Sequence, residues 1–321
     1  MRKWFFPKFN LFGLSKALKI GYFCELSNHH KGMSKKIHVG FLLSYDYENL
    51  KKAIPPVYED ADAIFIAEDK EYRTWSGEKF EVSPSFYEWL KEFDTEKKIQ
   101  IYKDDFYLPA LSAIENDTRE RTLLSEKMGV GNWLVQVDAD EYFIDFKSFV
   151  KTLRKYDSFL KNPAKTPVQI AGFLINMYKY TDDGLLYVDN PTKVLLATNY
   201  PKYTFARQNR KRVIYTDNLL MHECISRSEK DLMTKLTNWG HSKDFDIEQY
   251  VEKWRSVNKD NYKEMQDFFY LQPEGWKTLD YIGSKNMDEI KKQLNAKPEL
   301  HPSQFFLFKK NIGQYFKHLF K

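Results

Sequence analysis

The segment NWLVQVDADEY, residues 132–142, combines the pattern of a buried strand with a cluster of acids. Its first half is apolar, and its second half holds Asp138, Asp140 and Glu141. Strand alternation predicts that the side chains of Asp138 and Asp140 point to the same side. Two carboxylates at the carboxyl end of a strand can hold a divalent cation, and their oxygen atoms favour Mn²⁺ or Mg²⁺. The alternative is a solvated turn after a buried strand, because a DxD pattern is short and common.

Strands and helices alternate in front of this segment. Residues 38–45 and 61–67 have the apolar pattern of buried strands, and residues 98–102 have the pattern of a shorter third strand. A helical segment between the first two strands predicts a βαβ unit and therefore a parallel sheet. Glu68 and Asp69 end the second strand, where an acid commonly binds a ribose hydroxyl in nucleotide-binding folds. A capped start of a loop is the alternative for these two acids.

A helix with a basic side chain leads into the acidic segment. Residues 117–128 have a helical pattern and carry Arg121, and the glycines at 129 and 131 predict a turn before the strand. The order of VGFLLSY, the acid-ended strand IFIAED, the helix RERTLLSEKMG and WLVQVDADEYF resembles the GT-A glycosyltransferases, in particular the family 2-like enzymes. The resemblance covers residues 37–245. It implies an α/β, Rossmann-like fold with a mixed, mainly parallel sheet flanked by helices.

The resemblance also implies roles for the acids of the motif. Asp138 and Asp140 match the residues that hold a metal, Mn²⁺ or Mg²⁺, which bridges the diphosphate of a nucleotide-sugar donor. A UDP-sugar is the favoured donor. Arg121 matches a helix arginine near the nucleotide, and Glu141 matches the acid that often follows the motif. The pattern Asp-x-x-Ser-x-Asp-Gly-Thr, usual after the second strand, is missing, because the chain reads AEDKEYRTWSG there.

A second polar cluster reads MHECISRS at residues 221–228 and is followed by NWGH at residues 238–241. Under the resemblance, Glu223 lies where such enzymes carry the carboxylate that deprotonates the acceptor. His241 resembles the histidine that completes the metal site, and His222 is the alternative for either role.

Three further features enter the predicted site. Glu141 and Asp183 are the reserve candidates for the base that accepts the proton of the acceptor hydroxyl. Residues 202–212 carry five Lys and Arg side chains, which can attract phosphates or an anionic acceptor. A solvated basic loop is the alternative for that stretch.

The predicted function is metal-dependent transfer of a sugar to a hydroxyl of a glycan or glycolipid, with inversion and in bacterial surface polysaccharide or lipopolysaccharide assembly. Two alternatives stay open. A metal-dependent nucleotidyl- or phosphotransferase also uses paired acids, but it usually has a phosphate-binding glycine-rich loop after the first strand, and LLSYDYEN has none. A non-catalytic membrane-surface binding protein would account for basic aromatic chain ends but not for DADE.

The chain has 321 residues, and its composition predicts three parts. Its hydrophobic fraction of 42% is enough for a sizeable core, and 17% aromatic residues argue against disorder. Residues 1–36 form a basic aromatic leader with eight Lys and Arg and one acid, so the positive net charge is no evidence for a nucleic-acid partner. Residues 37–245 form the predicted catalytic domain. Residues 246–321 are predicted to be an α-helical C-terminal region.

The ends of the chain bear on where the protein works. The tail, residues 305–321, has the pattern of a basic amphipathic helix, which can lie on a membrane or pack on its own domain. No apolar run approaches the roughly 20 residues that span a bilayer. Cys24 and Cys224 neither require nor exclude a disulfide, and a reducing compartment is the simpler interpretation. The expected location is the cytoplasm, with peripheral contact at the inner face of the cell membrane as a further possibility.

Overall fold

The computed structural model describes residues 35–238 and 244–319. The predicted leader therefore lies almost wholly outside the described residues, and so does His241. Within those ranges the strands are β1 (Ile37–Leu43), β2 (Ala63–Asp69), β3 (Ile99–Asp104), β4 (Trp133–Val137), β5 (Glu141–Phe143), β6 (Val168–Tyr180), β7 (Leu185–Val188), β8 (Thr192–Thr198), β9 (Arg212–His222) and β10 (Leu279–Ile282). The helices are α1 (Leu50–Ala53), α2 (Pro55–Tyr58), α3 (Pro84–Phe93), α4 (Ala113–Met128), α5 (Phe146–Lys155), α6 (Glu229–Asn238), α7 (Ile247–Ser256), α8 (Met287–Asn295) and α9 (Gln304–Leu319).

The strands form a mixed sheet in the order β10-β7-β6-β8-β4-β1-β2-β3, with β9 paired to β5 and β6. Strands β1 to β4 are parallel to their neighbours among themselves. β8 is antiparallel to β4 and β6, whereas β6 and β9 are parallel. The protein is thus an α/β fold with a mixed sheet that is parallel through β4-β1-β2-β3, is flanked by helices and is followed by a C-terminal helix. The predicted fold class is confirmed at that level.

Close packing of α4 on β1 fixes the distance between the sheet and the helix that carries Arg121. All residues of β1 and β4 are buried, as expected for central strands covered on both faces. A Cβ atom at Gly40 would lie 2.7 Å from Sδ of Met128 and 2.9 Å from Cδ2 of Leu124. Glycine at this position therefore allows α4 to approach the strand closely, and the residues of α4 can then reach the end of β4.

The C-terminal region is not wholly α-helical, so that part of the prediction was wrong. β10 pairs antiparallel with β7, so residues from both sides of the predicted boundary at 245 share one sheet. Tyr178 and Leu186 also share a buried cluster with Trp254, Phe268 and Trp276. A four-residue strand is too short to produce a recognisable alternation in sequence, and it forms here because the edge of β7 offers free backbone groups.

Asp138 and Asp140 lie in the turn between β4 and β5, not within a strand, and Glu141 begins β5. β4 ends at Val137, and the main-chain N–H of Glu141 donates to the carbonyl oxygen of Asp138 over 3.0 Å. The predicted alternation therefore does not set the directions of Asp138 and Asp140. No helix in the described part of the chain is both long and apolar enough to cross a membrane.

Candidate functional site

Acidic and basic side chains meet beyond the carboxyl ends of β1, β4 and β9. We call this group the charged cluster. Its members come from the turns after these strands, from the start of β5, from α1, α4 and α6, and from the stretch before β9. The acids are Asp46, Asp138, Asp140, Glu141 and Glu223, and the bases are Lys52, Arg121, Arg207, Arg227 and Lys235.

Asp140 is the most heavily paired acid of the charged cluster. Its Oδ2 atom lies 2.6 Å from Nη2 of Arg227 and 2.6 Å from Nζ of Lys235. Arg227 also reaches Asp46, with Nη2 and Oδ2 3.2 Å apart. Burial opposes ionisation of Asp140, but the charges of Lys235 and Arg227 outweigh it and hold the pKa of Asp140 well below its ordinary value. Asp140 is therefore an anion that gathers positive charge around it.

Asp138 faces the bases of α4 and of the stretch before β9. Its Oδ1 atom lies 2.8 Å from Nη2 of Arg121, and its Oδ2 atom lies 3.9 Å from Nη2 of Arg207. About a third of its side chain, 34%, is exposed, so Asp138 opens toward solvent more than Asp140 does. Within the described structure, the Nη1 atom of Arg121 is buried without a hydrogen-bond partner. Arg121 therefore lies beside the DxD motif, and its predicted contact with a nucleotide stays a prediction.

Glu141 is held by Arg207 through both carboxylate oxygens. Nη1 of Arg207 donates to Oε2 over 2.8 Å, and Nη2 pairs with Oε1. Oε2 also accepts the main-chain N–H of Asp138 over 3.2 Å. Glu141 therefore positions the turn and Arg207, and it has little capacity left to accept a proton from a substrate. The side chain of Arg207 is only 14% exposed, so this part of the basic stretch is not a solvated loop.

Glu223, the predicted base, lies in the charged cluster. Its main-chain N–H donates to the carbonyl oxygen of Asp140 over 2.8 Å. Its Oε2 atom accepts from Nζ of Lys52 over 2.7 Å and from the hydroxyl of Tyr142. Both contacts fix the direction of the carboxylate.

His222 has the geometry of a histidine that can bind a cation. Its Nδ1 atom lies 2.9 Å from Oδ1 of Asn176, and this oxygen can only accept, so Nδ1 carries the proton. The Nε2 atom is then unprotonated and lies 3.7 Å from Oδ2 of Asp140. Burial lowers the pKa of His222, which favours the neutral imidazole that metals require.

The donor atoms suit Mn²⁺ or Mg²⁺, although the chain's own bases lie among them. Asp138 and Asp140 offer hard carboxylate oxygens, and His222 offers one imidazole nitrogen with a fixed tautomer. In residues 35–238 and 244–319, no three Asp, Glu, His or Cys side chains form a group that could hold a metal ion. A cation bound at Oδ2 of Asp140 would have to replace Lys235 and Arg227 there.

Glu68 and Asp69 are used to organise loops. Oε2 of Glu68 accepts from the hydroxyl of Tyr87 over 2.8 Å, and Oε1 lies 2.5 Å from Nζ of Lys103. The carboxylate of Asp69 pairs with Arg73 and accepts main-chain N–H groups at residues 71, 73, 106 and 107. These bonds favour the loop alternative over the ribose contact, which stays a prediction.

Asp183 lies in the exposed hairpin between β6 and β7, and its contacts are with the C-terminal region. Its carboxylate lies 2.5 Å from Nζ of Lys259 and accepts from the hydroxyl of Tyr281 over 2.6 Å. Its contacts therefore do not join it to the charged cluster, and it is a poor candidate for the catalytic base.

Sequence reasoning did not single out Lys52, Arg227 and Lys235. All three lie within a few residues of acids or apolar segments that were recognised, but each resembles an ordinary surface base in sequence. Arg227 belongs to the polar stretch MHECISRS, and Lys235 follows it by two turns of α6. Their local sequence therefore carries no signal that could have identified them.

A buried acid next to the charged cluster titrates in an unusual range. The indole N–H of Trp75 donates to Oε2 of Glu120 over 2.6 Å, and the guanidinium of Arg121 lies over the Trp75 ring at 5.8 Å. Burial raises the pKa of Glu120 to about 8. Glu120 is therefore a largely neutral carboxylic acid at pH 7 in the folded protein.

This raised pKa predicts a pH-dependent loss of stability that Glu120→Gln removes. Between pH 4.5 and about 8 the unfolded chain releases the proton of Glu120 while the folded chain keeps it, so stability falls as the pH rises through this window. Relative to the wild type, Glu120→Gln should gain roughly 4 kcal/mol in unfolding free energy between pH 5 and pH 8.5. Urea unfolding at both pH values measures this change. Glu92→Gln, on the exposed side of α3, is the control that should show no such gain.

Comparison with known proteins assigns no family. No protein-family model matches the chain, and no curated protein matches it significantly. A functional assignment therefore depends on the chemistry of the charged cluster and on its place in the fold.

Proposed function

We propose that the protein is a glycosyltransferase that moves a sugar from a nucleotide-sugar donor, with a UDP-sugar favoured, to a hydroxyl of a glycan or glycolipid acceptor. The observation that carries the proposal is the charged cluster itself. Asp138 and Asp140 bring carboxylates for a cation to the same place as four bases that can contact a diphosphate. The crevice beyond the carboxyl ends of the strands is also where open α/β sheets bind ligands.

Basic side chains are suited to stabilise the leaving group. When the bond between the anomeric carbon and the diphosphate oxygen breaks, negative charge grows on the diphosphate. Arg227 and Lys235 are charged donors that Asp140 holds in place, so they can bind this charge with little reorganisation. Asp138 and Asp140 would hold a Mn²⁺ or Mg²⁺ ion that takes the place of these two bases at Asp140, and the ion would act on the same charge as a Lewis acid.

Glu223 is suited to accept the proton of the acceptor hydroxyl. Hydrogen bonds engage its Oε2 atom, and its Oε1 atom accepts none from the described residues. As the acceptor oxygen bonds to the anomeric carbon, its proton passes to Oε1 and the diphosphate leaves from the opposite side. One such displacement inverts the anomeric centre. Surface polysaccharide or lipopolysaccharide assembly remains the proposed setting.

Nucleotide binding tests the proposal directly. Thermal unfolding would be followed with UDP, GDP, CDP and ADP, each with and without Mn²⁺. A ligand at about a hundred times its Kd adds roughly 2.7 kcal/mol to the unfolding free energy, which raises the midpoint by about 5 °C. We expect such a rise with one nucleotide for the wild type and for the exposed variant Asp183→Asn, and its loss in Asp138→Asn.

The same experiment separates the alternatives. Absence of a shift with every nucleotide, for a protein that unfolds cooperatively, would contradict the proposal. A shift combined with transfer of a nucleotidyl or phosphoryl group, detected by mass spectrometry of the products, would favour the nucleotidyl- or phosphotransferase. A shift combined with release of nucleoside diphosphate from a nucleotide-sugar would support the glycosyltransferase.

A further inference from the structure

The C-terminal helix α9 is attached to the sheet through one face. Asn311 accepts the main-chain N–H of Tyr215 over 2.8 Å and donates to the carbonyl oxygen of the same residue over 3.0 Å. Oε1 of Gln314 accepts the N–H of Val213 over 3.3 Å, and Leu307 is buried. These contacts satisfy backbone groups of β9 that β6 leaves free. They also fix the rotation of α9 about its axis, and therefore which residues face outward.

The outward face of α9 is a stripe of large apolar side chains. Phe305, Phe308 and Phe316 are 75%, 62% and 53% exposed. Together with Ile312 they are spaced by three or four residues, so they lie on one side of the helix. At 100° per residue this side is well rotated from the face that holds Asn311 and Gln314. Of the eleven exposed large hydrophobic residues in the described structure, six lie on α9, and such a concentration marks an interaction site.

Positive charge borders this apolar stripe. α9 contains Lys309, Lys310 and Lys317 and no Asp or Glu. Burial lowers the pKa of Lys193 in β8, and the nearby charges of Lys317 and Lys310 lower it further. The guanidinium of Arg212 lies 5.4 Å from the ring centre of Tyr315. The surface around the stripe is therefore basic, and it suits an anionic partner.

We propose that α9 binds the surface of an anionic lipid bilayer, with the stripe of Phe305, Phe308, Ile312 and Phe316 in the boundary between headgroups and acyl chains. Aromatic residues on one side and lysines beside them are the features of helices that lie in this interface. The lysines add attraction to anionic headgroups. The helix would hold the protein on the membrane without crossing it, whichever reaction the charged cluster performs.

Two other occupants of the stripe fit the charges less well. A second copy of the chain, packed face to face through α9, would bring two sets of the same lysines together. The leader, residues 1–36, carries eight Lys and Arg against one acid, so it has the same sign of charge as α9. An anionic bilayer is the occupant whose charge complements the surface.

Vesicle flotation of the full chain tests the proposal. Vesicles of phosphatidylcholine alone are compared with vesicles that also contain phosphatidylglycerol. We expect the wild type to float with the anionic vesicles and Phe308→Ser/Phe316→Ser to lose at least about tenfold in partition constant. Each of Lys309→Gln and Lys317→Gln should lose about fivefold. Phe205→Ser, an exposed phenylalanine outside α9, is the matched control and should bind as the wild type does.

A second measurement identifies what covers the stripe. Phe308→Trp adds an indole. Its fluorescence emission is obtained by subtracting the spectrum of the unsubstituted protein from that of the variant. A blue shift that requires anionic vesicles supports the proposal. Emission that is already blue-shifted without lipid would show that protein, either the leader or a second copy, covers the stripe, and this would overturn it. Unchanged flotation of Phe308→Ser/Phe316→Ser, with a normal unfolding midpoint, would overturn it as well.

Discussion

Asp140→Asn should reduce sugar transfer by about a thousandfold. Asp140 gathers Arg227 and Lys235 at the place proposed for the diphosphate, and it is also a proposed ligand of the metal. Its replacement removes the negative charge that keeps these two donors in place, where they would contact the negative charge that develops on the leaving group. Loss of one preorganised electrostatic contact costs about a hundredfold to a thousandfold, and Asp140 supports several. The measurement is the rate of nucleoside diphosphate release with the donor and acceptor present.

Stability would change for a separate reason, and a second substitution separates the two effects. Asp140→Asn leaves Arg227 and Lys235 buried with less negative charge nearby, which should cost about 3 kcal/mol in unfolding free energy. Asp140→Asn/Lys235→Met removes one of the excess positive charges and should regain much of this stability. It should not regain activity, because both the carboxylate and a phosphate-binding base are then missing. Urea unfolding and the transfer assay are run on the same preparations.

The outcome that would contradict this role is recovery of both properties in the double variant. Asp140 would then be needed only to balance buried bases, and the acid motif would be a structural feature. Recovery of stability alone would leave the functional role intact. A third pattern, in which Asp140→Asn transfers sugar at the wild-type rate, would remove the charged cluster from the mechanism.

The sequence could predict much of the sheet, because its strands are local patterns. The apolar run before Asp138 predicts β4, and the βαβ unit before it predicts parallel pairing of β1 and β2, which the structure confirms. Arg121 could be expected near Asp138 because only a short glycine turn separates their elements. Such inferences need no knowledge of contacts between distant parts of the chain.

The pairing of the acids with bases could not be predicted in this way. Lys235 lies 95 positions from Asp140, and Lys52 lies 171 positions from Glu223. Hydrophobic periodicity carries no information about contacts over such separations, and lysine is a common residue on helix surfaces. Strand alternation was also not a sound basis for predicting that Asp138 and Asp140 point to the same side, because the strand ends at Val137 and a turn orients them.

Glu223→Gln should lower the turnover of sugar transfer by a hundredfold to about ten-thousandfold while donor binding stays intact. Glutamine keeps the size of the side chain and can still accept from Lys52 and Tyr142, but it cannot take a proton from the acceptor hydroxyl. The expected result is therefore a fall in kcat with an unchanged midpoint shift by the nucleotide. Single-turnover transfer and thermal unfolding with the nucleotide measure these two properties.

Two matched variants decide whether Glu223 is the base. Asp183→Asn changes an acid on the exposed β6–β7 hairpin and should leave turnover close to that of the wild type, because its contacts do not join Asp183 to the charged cluster. Glu141→Gln weakens the double contact with Arg207 and should act mainly on stability. If Glu141→Gln lost more turnover than Glu223→Gln at equal stability, Glu141 would be the base. The two oxygens that Arg207 now holds would then have to be released when the acceptor binds.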